Sequence, residues 1–490
     1  MSRVCQIPGL WLLDSKQTFK AFDMNNSIWS FIGNWLLLVV AGGLVSGCHK
    51  QDFLGKNPNS TLIVPSTLSD FQSLLDNDLV MNQVPALGEI SGDNYYMGDD
   101  LWQTAGTRVQ NAYLWKPDIF VGQGSVEDWN FPYQQVYYAN VVLDGLDNIK
   151  TDNSNLATWN DIKGQALFAR AFGLFNVAQL FAPVYDVASA DSDPGVPLRL
   201  TEDVQARVVR STVKQTYNQI TGDLRIAAGL LSSKVLMTYV NRASRPAALA
   251  MLARVYLSMR KYDSAMFFAD NALSLNLSLL DYNSLSAGAI TPFPKQNAEI
   301  LFQAQFVNYS SSNSQVLAYG TSSCFADSTL IRSYDSNDLR LVLYYASIGG
   351  PGVGLNGSYA GSIFPFGGLA TDELYLIRAE CKARTGDTSG AASDLNALLV
   401  KRWKTGKFTN LTFSSPKAAL DRVLLERRKE MPFRNVRWSD LRRLNKENVS
   451  IMLTRITNGI TYTLTPNDKR YVLPIPPDVL RLSGIADNPR

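Results

Sequence analysis

The sequence predicts a mainly α-helical fold of stacked helical hairpins, and three stretches carry that expectation. Arg245 to Ser274 reads as two short helices back to back around the turn at Arg260-Lys261-Tyr262-Asp263. Leu249, Leu252, Ala253, Tyr256 and Leu257 recur at i, i+3, i+4, i+7 and i+8, and Ala265, Phe268, Ala269, Ala272 and Leu273 repeat that spacing. Each set is the stripe of a helix with one buried face. Ala253, Tyr256, Ala265, Ala269 and Ala272 also fall at the small and aromatic positions of a tetratricopeptide unit of about 34 residues. Asp372 to Lys401 repeats the pattern through Ala379, Gly386, Ala391, Leu395 and Leu398, with Gly386-Asp387 as the turn. Between them, Leu275 to Ala370 loses the helical period. An ordinary helical hairpin is the alternative for either unit taken alone. Because one unit cannot bury both faces, further helices must stack on it. The expected whole is a tetratricopeptide-like helical-repeat scaffold with long loop-rich insertions and few short strands.

In chain order, Ile28 to Val45 is an apolar run ending in Val45-Ser46-Gly47-Cys48. Small residues directly before a cysteine form the pattern of bacterial lipoprotein signals, in which the thiol receives a diacylglycerol. Residues 1–47 are therefore expected to be a signal peptide and Cys48 the lipidated mature residue. A type II membrane anchor or an ordinary secreted protein is the alternative. The basic n-region (Arg3, Lys16 and Lys20, with Asp14 and Asp23) is long, and translation from Met24 would remove nearly all of it. His49 to Thr61 reads as a polar tether, and Thr67 to Leu75 as a short capped helix. Gly88 to Trp102 is rich in Gly, Asp and Asn, which places its aromatic residues on loops. Helices are expected from Phe131 to Ile149 and from Trp159 to Phe181. The second is apolar nearly all round and therefore buried between neighbours. Pro183 ends it, and Asp191 to Leu198 forms a Pro/Gly loop. Ser211, Thr212 and Gln215 supply an N-cap and capping box for a helix reaching Leu231. Short apolar runs at Ile300 to Phe302 and Leu341 to Tyr345 suggest a few strands inside the insertion. One domain, 48–490, is expected, with repeat helices at about 131–275 and 370–445 and the insertion at about 276–369.

Composition excludes several kinds of chemistry. The 490 residues are 46% hydrophobic and 18% charged, as in ordinary globular chains. A net charge of +3, evenly spread, does not suit nucleic acid as a partner. The basic helix "RVLLERRKE" carries Glu426 and Glu430 at helical spacing to its arginines, which points to intramolecular ion pairs. The single histidine, His49, lies in the tether, so a Ser-His-Asp or Cys-His centre lacks its base and the HExxH zinc motif is impossible. Gly349 to Gly354 is glycine-rich, yet no Gly-Lys-Ser/Thr follows to make a phosphate loop. Neither a cofactor nor a metal site is expected. Cys324 and Cys381 are either a disulfide or two buried free thiols.

A sugar ring offers an apolar face of C–H groups and a rim of hydroxyls. It is held by an exposed aromatic plane flanked by amides and carboxylates. Two regions match: Asp93 to Trp102, and Asn308 to Tyr319 with Tyr309, Asn313 and Gln315. Tyr95, Tyr96 and Trp102 are the stacking candidates, and Asn94, Asp99 and Asn308 the hydrogen-bonding ones. The alternative is that these aromatics cover the scaffold's core.

Taken together the landmarks resemble the SusD/RagB family of outer-membrane lipoproteins. The marks are the lipobox at Cys48, Gln165 to Phe172 leading to Phe181, Arg210-Ser211-Thr212-Val213, the hairpin "RPAALAMLARVYLSMRKYDSA" and Asp338-Leu339-Arg340. Further along stand Tyr375-Leu376-Ile377-Arg378-Ala379-Glu380, "LLERRKE", Arg437-Trp438-Ser439-Asp440-Leu441, and Leu473-Pro474-Ile475-Pro476 close to Asn488-Pro489. Phe181-Ala182 stands where the family usually has Tyr-Gly, and the signal is longer than is typical. The resemblance implies capture of nutrients, mostly glycans, at the cell surface. It implies partnership with a SusC-like TonB-dependent outer-membrane transporter, a membrane lipid anchor, and no catalysis. It also implies a ligand site built from loops on one side of the repeats, without placing it residue by residue. Two other classes compete. A surface-anchored glycoside hydrolase needs two carboxylates about 5–10 Å apart across a cleft, and a non-binding assembly or adhesion scaffold needs only the repeats.

Overall fold

The computed structural model describes residues 65–307, 317, 321–447 and 449–489. The signal peptide, Cys48 and most of the Asn308–Tyr319 region, Asn308 included, lie outside the described residues. Helices dominate, and strands are short and paired in twos. The scaffold runs through α1 (Glu127–Leu146), α2 (Leu156–Phe181), α3 (Val213–Leu230), α4 (Arg245–Ser258) and α5 (Tyr262–Leu275). After the insertion it resumes with α6 (Thr371–Arg384), α7 (Thr388–Leu399), α8 (Pro416–Glu430) and α9 (Arg437–Asn445). Each helix from α1 to α7 packs on the next, and α8 lies against both α6 and α7. This is the nearest-neighbour stacking of a repeat solenoid.

Local chemistry sets the helix ends. Thr212 and Gln215 form the capping box of α3, Ser244 accepts from the Ala247 amide with Pro246 in the first turn of α4, and Ser415 caps α8 ahead of Pro416. Such caps satisfy amides that have no partner inside the helix. Gly386, between α6 and α7, has φ +88°, a conformation that side chains rarely adopt. The expected burial of α2 is observed: its residues face α1 on one side and α3 on the other. Gly173 permits that approach, because a Cβ there would stand 2.6 Å from the Pro132 carbonyl oxygen. The organising hairpin packs as its spacing implies. Ala253, Ala265, Ala269 and Ala272 are fully buried, and Tyr256 stacks on Phe268 with ring centroids 5.4 Å apart and planes 4° from parallel.

The insertion is less loop-like than its composition suggests, since short strands stitch it to other segments. Ile300–Phe302 pairs with Leu369–Ala370, and Gln305–Phe306 pairs in parallel with Gln83–Val84. Cys324–Ala326 pairs with Tyr95–Met97. The apolar run at Leu341 is a helical turn, Arg340–Tyr344, that passes into the strand Tyr345–Ser347. The glycine-rich segment after it forms a turn and the partner strand Val353–Leu355. The expected Pro/Gly loop contains the strand Pro194–Pro197, which is held by Arg210–Thr212. Cys324 and Cys381 are buried free thiols, and burial pushes both up to about 12.

Charge runs through the core. Arg254 of α4 pairs with Glu373 of α6 at 2.6 Å, and Glu373 also accepts from Arg427 of α8. Arg427 bonds Asp440 of α9 at 2.7 Å, Asp440 bonds Arg443, and Arg443 returns to Glu380 of α6 at 2.6 Å. A second cluster centres on Arg340, which binds Asp338, Glu426 and Glu430 at 2.7, 2.6 and 3.0 Å. Glu430 also accepts from Arg402 at 2.7 Å, and Arg402 reaches Glu299 at 2.9 Å. The ion pairs expected along "RVLLERRKE" therefore exist, but most cross between elements rather than run along one helix.

The close contact between α4 and α5 sets an expectation. Ala253→Trp or Ala269→Trp should destabilise the fold by more than about 2 kcal/mol, because neither site has room for an indole. Thermal or urea denaturation would measure it, and melting temperatures equal to wild type for both variants would refute the tight hairpin.

Candidate functional site

The region predicted as aromatic loops is instead a strand, Tyr95–Met97, followed by a short helix, Asp99–Thr104. The alternation of a strand sorts the candidates. Tyr95 and Met97 point inward and are buried, while Tyr96 is half-exposed. Tyr95 is 3% exposed, donates its hydroxyl to the Ile90 carbonyl at 3.0 Å and packs beside Tyr113. Asn94 is 1% exposed and donates to the Glu89 carboxylate at 2.5 Å. Both were expected to face ligand. Their packing corrects that: Tyr95 and Asn94 support the surface from beneath.

What remains accessible is Tyr96, Trp102 and a polar fringe. Tyr96 lies over Phe325 of the partner strand, with centroids 5.3 Å apart. Trp102 is half-buried, and its indole N–H donates to the Gln110 carbonyl at 3.3 Å. In return the Gln110 amide donates to the carbonyls of Trp102 and Gln103. Asp99 and Asp100 are exposed. Asp99 accepts the Asn458 backbone N–H at 2.9 Å, and Asp100 accepts from the Ser323 hydroxyl at 2.7 Å, which holds its carboxyl below the usual range. Gln103 donates to the Asn458 side chain at 2.9 Å. A Cβ at Gly98 would crowd the Ser323 Cβ at 3.1 Å and displace the Asp100 carboxylate.

Three of these contributors were not singled out from sequence. Ser323 and Phe325 carry no local signal, because strand pairing alone brings them across. Asn458 did carry one. The hairpin Leu453–Thr457/Ile460–Leu464 turns at Asn458-Gly459, whose φ values are +49° and +74°. Asn-Gly between alternating strands is the strongest short-range hairpin signal.

Partly buried ion pairs brace the platform. Asp93 binds Arg437 through two contacts, at 2.6 and 2.8 Å. Arg428 bridges Asp93 and Asp327, the residues flanking the two paired strands. Burial opposes the charge on Asp93, but Arg437 and Arg428 keep its carboxyl well below the usual range. Arg455 donates to the carbonyls of Gly92, Ile90 and Tyr113, and its guanidinium lies 3.7 Å from the Tyr113 ring centroid. Glu89 behaves differently: burial pushes it up to about 7, the nearby Asp93 adds to that shift, and the Asn94 amide only partly offsets it.

The whole gives an aromatic, carboxylate-fringed surface on a rigid base, suited to non-covalent binding of a polyhydroxylated ring. Of the predicted residues, Tyr96, Trp102 and Asp99 stay accessible, on the strand Tyr95–Met97 and the short helix that follows it.

A family described as "Starch-binding associating with outer membrane" matches residues 52–257, and the family described as "SusD family" matches residues 371–485. No curated protein matches the chain. Among solved structures, a SusD superfamily protein from Bacteroides thetaiotaomicron is 22% identical, with TM-score 0.68, and the alignment covers 86% of this chain and 100% of that one. A SusD superfamily protein from Bacteroides vulgatus is 21% identical with TM-score 0.69, covering 87% and 99%. A laminarin-binding SusD-like protein is 17% identical with TM-score 0.62, covering 86% and 98%. At such identities these structures are similar in fold.

Glu89 supplies a pH expectation. Its folded pKa lies above the unfolded value, so the folded state holds the extra proton. The stability this contributes is fully present below pH about 4.5 and is lost as pH rises through about 7. The difference is on the order of 3 kcal/mol. Glu89→Gln should therefore gain stability relative to wild type between pH 5 and pH 8, read by melting temperature. A constant difference across that range would show that Glu89 titrates normally.

Proposed function

The chain belongs to the SusD/RagB family, and from that premise we propose that it binds a glycan at the cell surface for uptake across the outer membrane. The observation that carries this reading is the platform: Tyr96 and half-buried Trp102 on an ion-braced base, fringed by Asp99, Asp100, Gln103 and Asn458. A sugar face stacks on the rings and its hydroxyls donate to the carboxylates. The laminarin-binding description of one similar structure supports a β-glucan as the first probe.

The remaining assignments belong to the same proposal. Residues 1–47 act as a lipoprotein signal, and 48–490 form one mature domain. A diacylglycerol and an amide-linked acyl chain on Cys48 bury enough methylene to anchor it stably, at about 0.8 kcal/mol per CH₂. The outer-membrane association in the family description supports that location. Among the described residues no helix is long and apolar enough to cross a membrane. A tethered binder does not move a solute across a bilayer, so a SusC-like TonB-dependent transporter completes the reading. The protein captures its ligand without cleaving it.

Two measurements test this. Trp102→Ala, with a wild-type melting temperature, should weaken binding of laminarihexaose at least about tenfold, or about 1.4 kcal/mol. Unchanged affinity would remove the platform, and a shortened product would return the hydrolase reading. Mild detergent extraction should recover the protein together with a TonB-dependent barrel. Recovery of the lipoprotein alone, under conditions that preserve other such complexes, would favour the assembly or adhesion scaffold.

A further inference from the structure

A second concavity, of about 690 Å³, shares no lining residue with the platform. That volume falls within the range of ligand pockets, about 300–1,000 Å³. Its floor is the first two turns of α1, where Trp129 and Tyr133 pack with centroids 4.8 Å apart and planes tilted by 39°. The Tyr133 hydroxyl donates to the Pro197 carbonyl at 2.9 Å, fixing the floor to the end of the strand Pro194–Pro197. The opposite wall is the helix Pro477–Ser483, through Val479 and Leu482. Arg210 ties the two walls together by donating to the Gly195 and Pro194 carbonyls and to the Asn488 side chain.

The charge of this groove is one-sided. Arg199 and Arg207 are its only charged lining residues, and no carboxylate faces it. Many arginines elsewhere are matched to carboxylates, even in the core, while buried Arg442 and Arg455 donate to backbone carbonyls. Among the described residues neither Arg199 nor Arg207 takes part in such a pair. Burial raises the Tyr133 phenol, and the charges of Arg199 and Arg210 partly oppose that shift. Leu482 is 73% exposed and Val204 66%, leaving an apolar lip uncovered.

We propose that the groove is a second saccharide site, selective for acidic sugars. Uronate rings would lie with their C–H faces on Tyr133, and their carboxylates would take paired hydrogen bonds from Arg199 and Arg207. An acidic peptide fits less well. Peptides added to a sheet need free strand donors, and Pro194 and Pro197 remove two from the wall strand.

The test uses the purified full chain in detergent and titrates it with a galacturonic-acid hexamer, the fully methyl-esterified hexamer, and a glutamate hexapeptide. The acid hexamer should bind at least about tenfold tighter than the ester, a difference of about 1.4 kcal/mol. Raising the salt through the range that shortens the Debye length from about 10 to about 3 Å should weaken it. Arg199→Gln/Arg207→Gln should abolish the preference for the acid. Arg207→Gln alone, at an exposed position, serves if the double variant unfolds. Trp102→Ala should leave acid-hexamer binding unchanged, which separates this site from the platform whether or not the platform binds a neutral glycan. Equal affinity for acid and ester, binding indifferent to the arginines, no binding, or loss of binding in Trp102→Ala would each overturn the proposal. So would a glutamate peptide bound as tightly as the hexamer, which would assign the groove to an acidic protein partner.

Discussion

Buried ion pairing is the constraint on which this structure depends. Arg254, Glu373, Arg427, Asp440, Arg443 and Glu380 form a relay linking α4, α6, α8 and α9. Arg340, Arg402, Glu299, Glu426 and Glu430 do the same between the insertion and α8. Desolvating so many charges is costly. Removing one partner from a buried pair typically costs about 3–5 kcal/mol, whereas replacing a whole pair with apolar groups is often neutral. The relay therefore contributes more to register than to net stability. An apolar α6–α8 contact could slide by a turn, whereas a guanidinium forked onto a carboxylate cannot.

The binding platform inherits that register. Arg427 and Arg428 are neighbours on α8. One points into the relay, and the other bridges Asp93 and Asp327 at the ends of the strands carrying Tyr96 and Phe325. Arg437 on α9 completes the grip on Asp93, one turn before Asp440 enters the relay. The aromatic surface thus rests on the same two helices that lock the solenoid, although it is formed by a short strand, a short helix and the insertion. A surface held this way needs little ordering when it meets a ligand.

The helical scaffold was legible in the sequence because its signals are local. Alanine spacing in α4 and α5, the Thr212–Gln215 box and the apolar circumference of α2 each report a contact within a few residues. The candidate site was legible only in part. Trp102, Tyr96 and Asp99 remain accessible. Tyr95 and Asn94 share their composition and are buried, because strand alternation, set by pairing with Cys324–Ala326 more than two hundred residues away, decides which side faces solvent. The ion relay explains why motifs such as Asp338-Leu339-Arg340, Tyr375 to Glu380, "LLERRKE" and Arg437 to Leu441 go together. Asp338 and Arg340 pair with Glu426 and Glu430 of "LLERRKE" in one cluster, and Arg427, Asp440 and Glu380 belong to the other. Helical spacing indicated ion pairs within α8 and could not indicate partners on other elements. The hairpin at Asn458-Gly459 had a readable turn that composition alone obscured.

The division between nearest-neighbour stacking and long-range ion pairing also bears on the order of assembly. Helices α1 to α5 meet partners adjacent in the chain, so their loops close at small entropic cost. Arg254 must instead find Glu373 across 119 residues, with the insertion between them. Contacts of that separation form slowly, and until they do the arginine stays hydrated. The amino-terminal stack is thereby the segment able to form first, and its last helices present an unmet charge until the carboxy-terminal half arrives.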